Sequence, residues 1–415
     1  MARALAAGDV PWATVRAAFR QHRARLEPQV RALSAWHDEA DPAGPWSAVP
    51  SGPLAGVPVA VKDIIDTHDL PTAFGSTVAE GRRPARDAVC VARLRQAGLV
   101  VAAKAVPAEF ATGQPGPTRN PWDLARTPGG SSSGSAAAVA AGMFPVAVGT
   151  QTSGSVLRPA SFCGVVGFKP TYGRIPLDGV HPLAPSLDTV GALARSVDDA
   201  VAVVNVMAGG APAVRLSDVT PRIAWSYTPW WDQVDPGVRR VLEKELTWLR
   251  PQVCTRPDRR LPAHLRELTD VQQILLAVER LESLASWREA STPQAGLSPM
   301  LSEQLERDEA VSAEERDWAY ERLHRARAIP DPIWSEIDVL LTPATLGEAP
   351  LGIDDDGDPL PCRTWTTVGS PSCSIPLTTG PTGLPIGLQL VAAPGNDALL
   401  IHVARDLEAR IAWDG

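Results

Sequence analysis

Residues 127–135 read Thr127-Pro128-Gly129-Gly130-Ser131-Ser132-Ser133-Gly134-Ser135 and run without a break into Ala136-Ala137-Ala138-Val139-Ala140-Ala141. A second small-residue run, Gly149-Thr150-Gln151-Thr152-Ser153-Gly154-Ser155, follows Pro145–Gly149, which reads as an apolar strand. Turn, helix, strand and turn in that order, inside an apolar region, form one unit of an α/β fold. A flexible Gly/Ser linker has no need to lead into a helix and return as a strand. A phosphate cradle is the other reading, since Gly129 and Gly134 have the P-loop interval, but Ser135 stands where its lysine belongs.

The same alternation extends outward. Val57–Val61 and Leu99–Ala103 read as strands, with a helix over Asp87–Gln96 closed by Gly98. Residues 197–207 form an apolar helix with Ser196 as N-cap and Gly209-Gly210 at its end. Strands return at Asp338–Thr342 and Ile386–Val391. Between them, residues 237–328 carry Leu, Glu and Arg at helical spacing, with Val238, Val241, Leu242, Leu246 and Leu249 on one face. The expected architecture is one large α/β domain with a mixed, mainly parallel central sheet covered by helices on both faces. Its parts are an N-terminal helical cap over 1–50, a sheet core over 51–209 and 336–415, and a helical insert over 210–335. Within the cap a helix is expected over 11–36, then a linker over Asp41–Pro53.

Composition narrows the function. The chain has 415 residues and 39 basic against 47 acidic side chains, a net charge of −8, so it lacks the basic field that nucleic acid or an anionic membrane requires. Hydrophobic residues at 44% and charged residues at 21% exclude a wholly disordered chain and a multi-span membrane protein. The first residues hold no apolar stretch of signal length, and the five cysteines never pair as CxxC, so a reducing cytoplasm is the expected compartment.

Small residues over 149–155 let successive backbone N–H groups converge on one point, which is how an oxyanion is held during acyl transfer. A serine ending that run is a candidate nucleophile and needs a base. The seven histidines lie outside these segments, and nothing points to a Ser-His-Asp arrangement. Lys62 ends the apolar run Gly56–Val61 and is followed by Asp63-Ile64-Ile65-Asp66. A lysine serves as a base only if burial lowers its pKa; otherwise it is a solvated strand end.

Taken together, Gly56–Asp66, Asn120–Gly142, Gly149–Arg174 and Gly383–Val391 resemble the amidase signature family. The resemblance implies a Ser-cisSer-Lys triad of Ser155 as nucleophile, Ser131 as proton relay and Lys62 as base. It implies an oxyanion hole from the N–H groups of Thr152, Ser153, Gly154 and Ser155, and a cis peptide bond between Gly130 and Ser131. Thr150 matches the family and is expected beside the relay. No metal and no cofactor are implied.

Four positions depart from the family pattern. Ser133 stands for a usual glycine, Gln151 for an aspartate and Ser153 for a glycine or alanine; Ser133 and Gln151 are expected to retune hydrogen bonds around Lys62. The fourth is Ser155-Val156-Leu157-Arg158-Pro159, which moves an arginine by one residue. If Arg158 faces the pocket, its planar fork suits a carboxylate, and the substrate is a short amide such as malonamate, the preference of the malonamidases within the family. Its other reading is a local pairing that holds the loop. The alternatives within the family are a general small-amide hydrolase and an amidotransferase subunit. The expected partner is a small amide, with a homodimer as the expected assembly. Asp354-Asp355-Asp356-Gly357-Asp358 lacks a calcium-loop register and reads as a solvated turn, and Trp230-Trp231 reads as core packing or an oligomer contact.

Overall fold

The structure is a computed structural model and describes residues 1–38, 41, 44–48, 50–210, 220–292, 294–329, 331–411 and 413. Parts of the expected linker (42–43 and 49) and the start of the insert (211–219) lie outside the described residues. The strands are β1 Leu33–Trp36, β2 Pro58–Lys62, β3 Val100–Ala105, β4 Val146–Gln151, β5 Val166–Lys169, β6 Thr189–Ala194, β7 Ile223–Tyr227, β8 Arg259–Arg260, β9 Val339–Pro343, β10 Ser372–Thr379 and β11 Pro385–Ala392. They form one sheet in the order β1-β3-β2-β4-β6-β5-β10-β11-β9-β7-β8. Single-domain, mixed α/β architecture is therefore what this sequence adopts. Parallel pairing is concentrated in two blocks, β3-β2-β4 and β9-β7-β8, while the strands between β4 and β9 and the β1 edge pair antiparallel.

Strand alternation sorts side chains to the two faces. In β2, Val59 and Val61 join a core with Val91, Leu94, Val201 and Val204, from the helices Val89–Gln96 and Val197–Met207. Ala60 joins the opposite core with Phe19, Ala136, Ala137 and Ala160, from the helices Trp12–Val30, Ser133–Ala140 and Leu157–Cys163. By the same period of two, Lys62 is on the Ala60 face, the face of the Ser133–Ala140 helix. Alanine on both sides brings that helix close to the sheet. Gly134 sets the limit: a Cβ there would lie 2.2 Å from the Ala32 carbonyl oxygen and 2.4 Å from Val106 N.

The N-terminal helix expected to reach Trp36 stops at Val30. Arg31 takes a left-handed conformation at φ 55°, and the Glu27 carboxylate accepts from the N–H groups of Ala32 and Leu33 at 3.1 and 2.9 Å. That side-chain cap turns the chain, and Leu33–Trp36 becomes the edge strand β1 against β3. The insert expected to be helical over 210–335 carries the helices Pro236–Val253, His264–Ala290, Pro299–Asp308 and Ala313–Ala328 but is not purely helical, since it also supplies β7 and β8 to the sheet, β7 pairing with β9 and β8 with β7. Ser196 caps its helix by accepting from Asp199 N, as expected.

Candidate active site

Four serines leave the loop at residues 131–135, and three of them are tied to backbone. Ser132 Oγ donates to the Thr150 carbonyl and accepts from Thr150 N, both at 3.2 Å; Ser135 Oγ donates to the Val148 carbonyl at 2.9 Å. Ser133 Oγ donates to the Val106 carbonyl at 3.1 Å. The expectation that Ser133 retunes the relay is thus corrected: its hydroxyl pins the loop to the chain leaving β3. Ser131 alone meets the lysine, with Lys62 Nζ donating to Ser131 Oγ and to Thr150 Oγ1, each at 2.9 Å. The Gly130–Ser131 peptide bond is cis.

Lys62 is fully buried, and its loss of hydration lowers the ammonium pKa to about 7, against the pull of Asp356 and Asp188. The solvated strand-end reading is excluded by that burial. Ser155 is 7% exposed, and its hydroxyl has no hydrogen-bond partner among the described residues. It opens with Ser131, Thr152, Ser153 and Arg158 into a cavity of about 390 Å³. No histidine lines that cavity among the described residues. His181, nearest in the sequence to the cavity-wall residue Leu183, instead accepts from Trp287 Nε1 at 2.9 Å inside an aromatic cluster with Phe74 and Phe110.

The loop from Thr152 to Ser155 is held from outside itself. Thr152 Oγ1 donates to the Asp188 carboxylate at 2.5 Å, and that carboxylate also accepts from Leu183 N and Ala184 N. Gln272 Nε2, from the helix His264–Ala290, donates to the Thr152 carbonyl at 3.2 Å and to Ser153 Oγ at 2.6 Å. Thr366 Oγ1 donates to the Ser153 carbonyl at 2.8 Å. Gln151, expected beside Lys62, works elsewhere: its Oε1 accepts from Val156 N and Leu157 N at 3.0 and 3.1 Å, steadying the start of the next helix, and its Nε2 donates to Thr366. With carbonyls and side chains so engaged, the N–H groups of Thr152, Ser153, Gly154 and Ser155 have no acceptor among the described residues. Four adjacent free donors beside an open serine can hold a developing oxyanion.

Arg158 lines the cavity, yet its fork is not free. Nε and Nη2 donate to the Gly130 carbonyl at 3.2 and 2.7 Å, and Nη1 donates to the Gly357 carbonyl. It clasps Gly130, the residue before Ser131, to the loop 353–359, so the loop-holding role is the one that its contacts carry. The acidic run is a turn with Asp354, Asp355 and Asp358 exposed, as expected, but it also borders the site: Asp354, Asp355 and Asp356 line the cavity, and a Cβ added to Gly130 would lie 2.0 Å from Asp356 Oδ2. The phosphate-cradle reading fails on its donors, since Gly129 N is bound to Thr127 Oγ1 and Gly134 N to the Val106 carbonyl.

Sequence reasoning missed Asp188, Gln272 and Thr366, and noticed the acidic run without placing it at the cavity. No local pattern marks them, because each reaches the site from another element. Elsewhere His68, Asp69 and Asp87 cluster with metal-like spacing, but Arg95 already pairs with Asp69 at 2.6 Å and with Asp87 at 3.0 Å, supplying the cation.

A family model described as Amidase matches residues 28–401. A glutamyl-tRNA(Gln) amidotransferase subunit of Anaeromyxobacter sp. (strain K) is 36% identical over 409 residues, covering 86% of this chain and 83% of that protein. A crystal structure of an amidase superposes with a TM-score of 0.87 at 28% identity, covering 99% of this chain and 98% of that one. Native peptide amidase from Stenotrophomonas maltophilia gives 0.80 at 28% identity, covering 99% and 95%.

Proposed function

The chain belongs to the amidase family and is a hydrolase of amide C–N bonds, and from that premise we propose that it cleaves small amides through an acyl-enzyme on Ser155. The observation that carries this reading is the pair of 2.9 Å hydrogen bonds from buried Lys62 to Ser131 and Thr150, beside the unpartnered Ser155 hydroxyl.

In this reading Ser155 Oγ attacks the amide carbon while its proton passes through the Ser131 hydroxyl to neutral Lys62. The N–H groups of residues 152–155 take the oxyanion charge. Collapse of the tetrahedral intermediate breaks the C–N bond, and the proton returns through Ser131 to the departing nitrogen, releasing ammonia from a primary amide. Water then attacks the ester carbon, gives its proton back along the same path, and frees the carboxylic acid and Ser155. Hydroxylamine in place of water would yield a hydroxamate.

Malonamate was expected on the premise of a free Arg158 fork. Its carboxylate would instead compete with two backbone carbonyls for Arg158 and would face three aspartates, so we favour a small amide without that charge. A second reading, a subunit of an amidotransferase, is favoured by the likeness to the Anaeromyxobacter protein. The acidic balance of −8 then assigns any RNA contact to other subunits. The expected homodimer is tested by molar mass in solution.

The deciding experiment is mass spectrometry of enzyme quenched during amide turnover. An acyl adduct on Ser155, absent in Ser155→Ala, supports the reading; an adduct on another residue overturns it.

A further inference from the structure

The catalytic cavity has a charge pattern that the hydrolytic chemistry does not use. Its wall carries the carboxylates of Asp354, Asp355 and Asp356 against two guanidinium groups, Arg158 and Arg363. Both cations have other contacts: Arg158 donates to the carbonyls of Gly130 and Gly357, and Arg363 lies 3.7 Å from Asp358. The aspartates are not so matched. Among the described residues Asp355 accepts only from Gly357 N, at 2.8 Å, while Asp354 and Asp356 have neither an ion pair nor a hydrogen bond.

Asp356 is the most constrained of the three. Its carboxyl packs on the Cα of Gly130, the residue joined by the cis bond to Ser131, so it sits beside the relay. Burial raises its pKa, and the charges of Arg158 and Lys62 oppose that rise without an ion pair to either. Across the same cavity the Ser155 hydroxyl, 7% exposed, also lacks a partner. Nucleophile and carboxylates therefore open on one space and can engage a single molecule together.

We propose that the amide taken by this cavity carries an ammonium group, held by the Asp354–Asp356 loop while its carbonyl lies at Ser155. This rests on the hydrolase reading above and names the substrate class for it. A cation gains from three carboxylates that it partly desolvates, whereas an anion meets their repulsion. The specificity is then set by the loop 353–359, and Arg158 contributes by fixing that loop to Gly130.

Three nearly isosteric amides test it: β-alaninamide (cationic), butyramide (neutral) and succinamate (anionic). The expected order of kcat/KM is β-alaninamide, butyramide, succinamate, with the first preferred over the second by about tenfold or more, the size of one charge-assisted hydrogen bond. That preference should shrink between about 0.01 and about 1 M salt, as the Debye length falls from about 30 to 3 Å. Asp356→Asn should reduce the cationic-to-neutral ratio about tenfold, and Asp354→Asn, on an exposed side chain, should reduce it in the same direction even if the first variant folds poorly. Equal rates on β-alaninamide and butyramide, or a preference for succinamate, with Ser155 still acylated, would overturn the inference and leave the hydrolase reading standing. If none of the three is hydrolysed and none labels Ser155, the small-amide reading proposed above fails and this inference with it.

Discussion

Gln272 Nε2 lies 2.6 Å from Ser153 Oγ, a hydrogen bond that spans 119 residues of sequence and ties the long helix of the second half to the middle of the loop 152–155. The same amide group reaches the Thr152 carbonyl, so one side chain fixes two successive residues whose N–H groups remain free. In the proposed mechanism Gln272 acts through that loop as a positioning residue.

Gln272→Ala should therefore lower kcat by about tenfold to a hundredfold, less than the loss of an oxyanion donor itself, with KM little changed. Steady-state kinetics beside a thermal melt checks it. A change confined to KM would mean that Gln272 serves ground-state binding instead.

Lys62 predicts a pH profile. Its pKa is lowered to about 7 by burial, so it is protonated and inactive as a base below that value and neutral above it. kcat/KM should rise with pH through about 7, and the limb should vanish in Lys62→Ala together with most of the activity. Stability has the same sign. Between about 7 and the ordinary lysine value of 10.5 the unfolded chain binds the proton and the folded chain does not, so stability rises with pH across that window. Buried Lys169, also lowered to about 7, adds to the stability slope but not to the activity limb, because it donates to the Pro170 carbonyl and does not line the cavity.

Ser133→Ala should remove the hydrogen bond to the Val106 carbonyl and cost about 1 kcal/mol. Urea unfolding measures the loss. The pH limb near 7 should stay where it is, and a displaced limb would return Ser133 to the relay.

Arg158→Gln should release Gly130 and Gly357 from each other. Activity on butyramide and on succinamate should fall by the same factor, about tenfold or more. A loss at least tenfold larger on succinamate would identify Arg158 as a carboxylate receptor and restore the expectation drawn from its shifted position.

The sequence by itself determined the alternation of strands and helices, the strand that ends in Lys62, and the two glycine-serine runs that carry Ser131 and Ser155. Each is local: a side chain's period along a strand, a small residue where two backbones must meet, a hydroxyl where a helix begins. It misjudged the end of the first helix, because Glu27 capping Ala32 and Leu33 is a matter of side-chain reach that helical periodicity does not record. What only the tertiary structure decided is how each polar group is used. Ser131 and Ser133 are near neighbours of one chemical type, yet one faces buried Lys62 and the other the Val106 carbonyl. Arg158 has a fork suited to a carboxylate and spends it on two carbonyls, while an aspartate run with the composition of a solvated turn lines the catalytic cavity. A hydrogen bond or a charge acts over a few ångströms of space, and a distance of 119 or 199 residues along the chain says nothing about that separation until the fold has closed it.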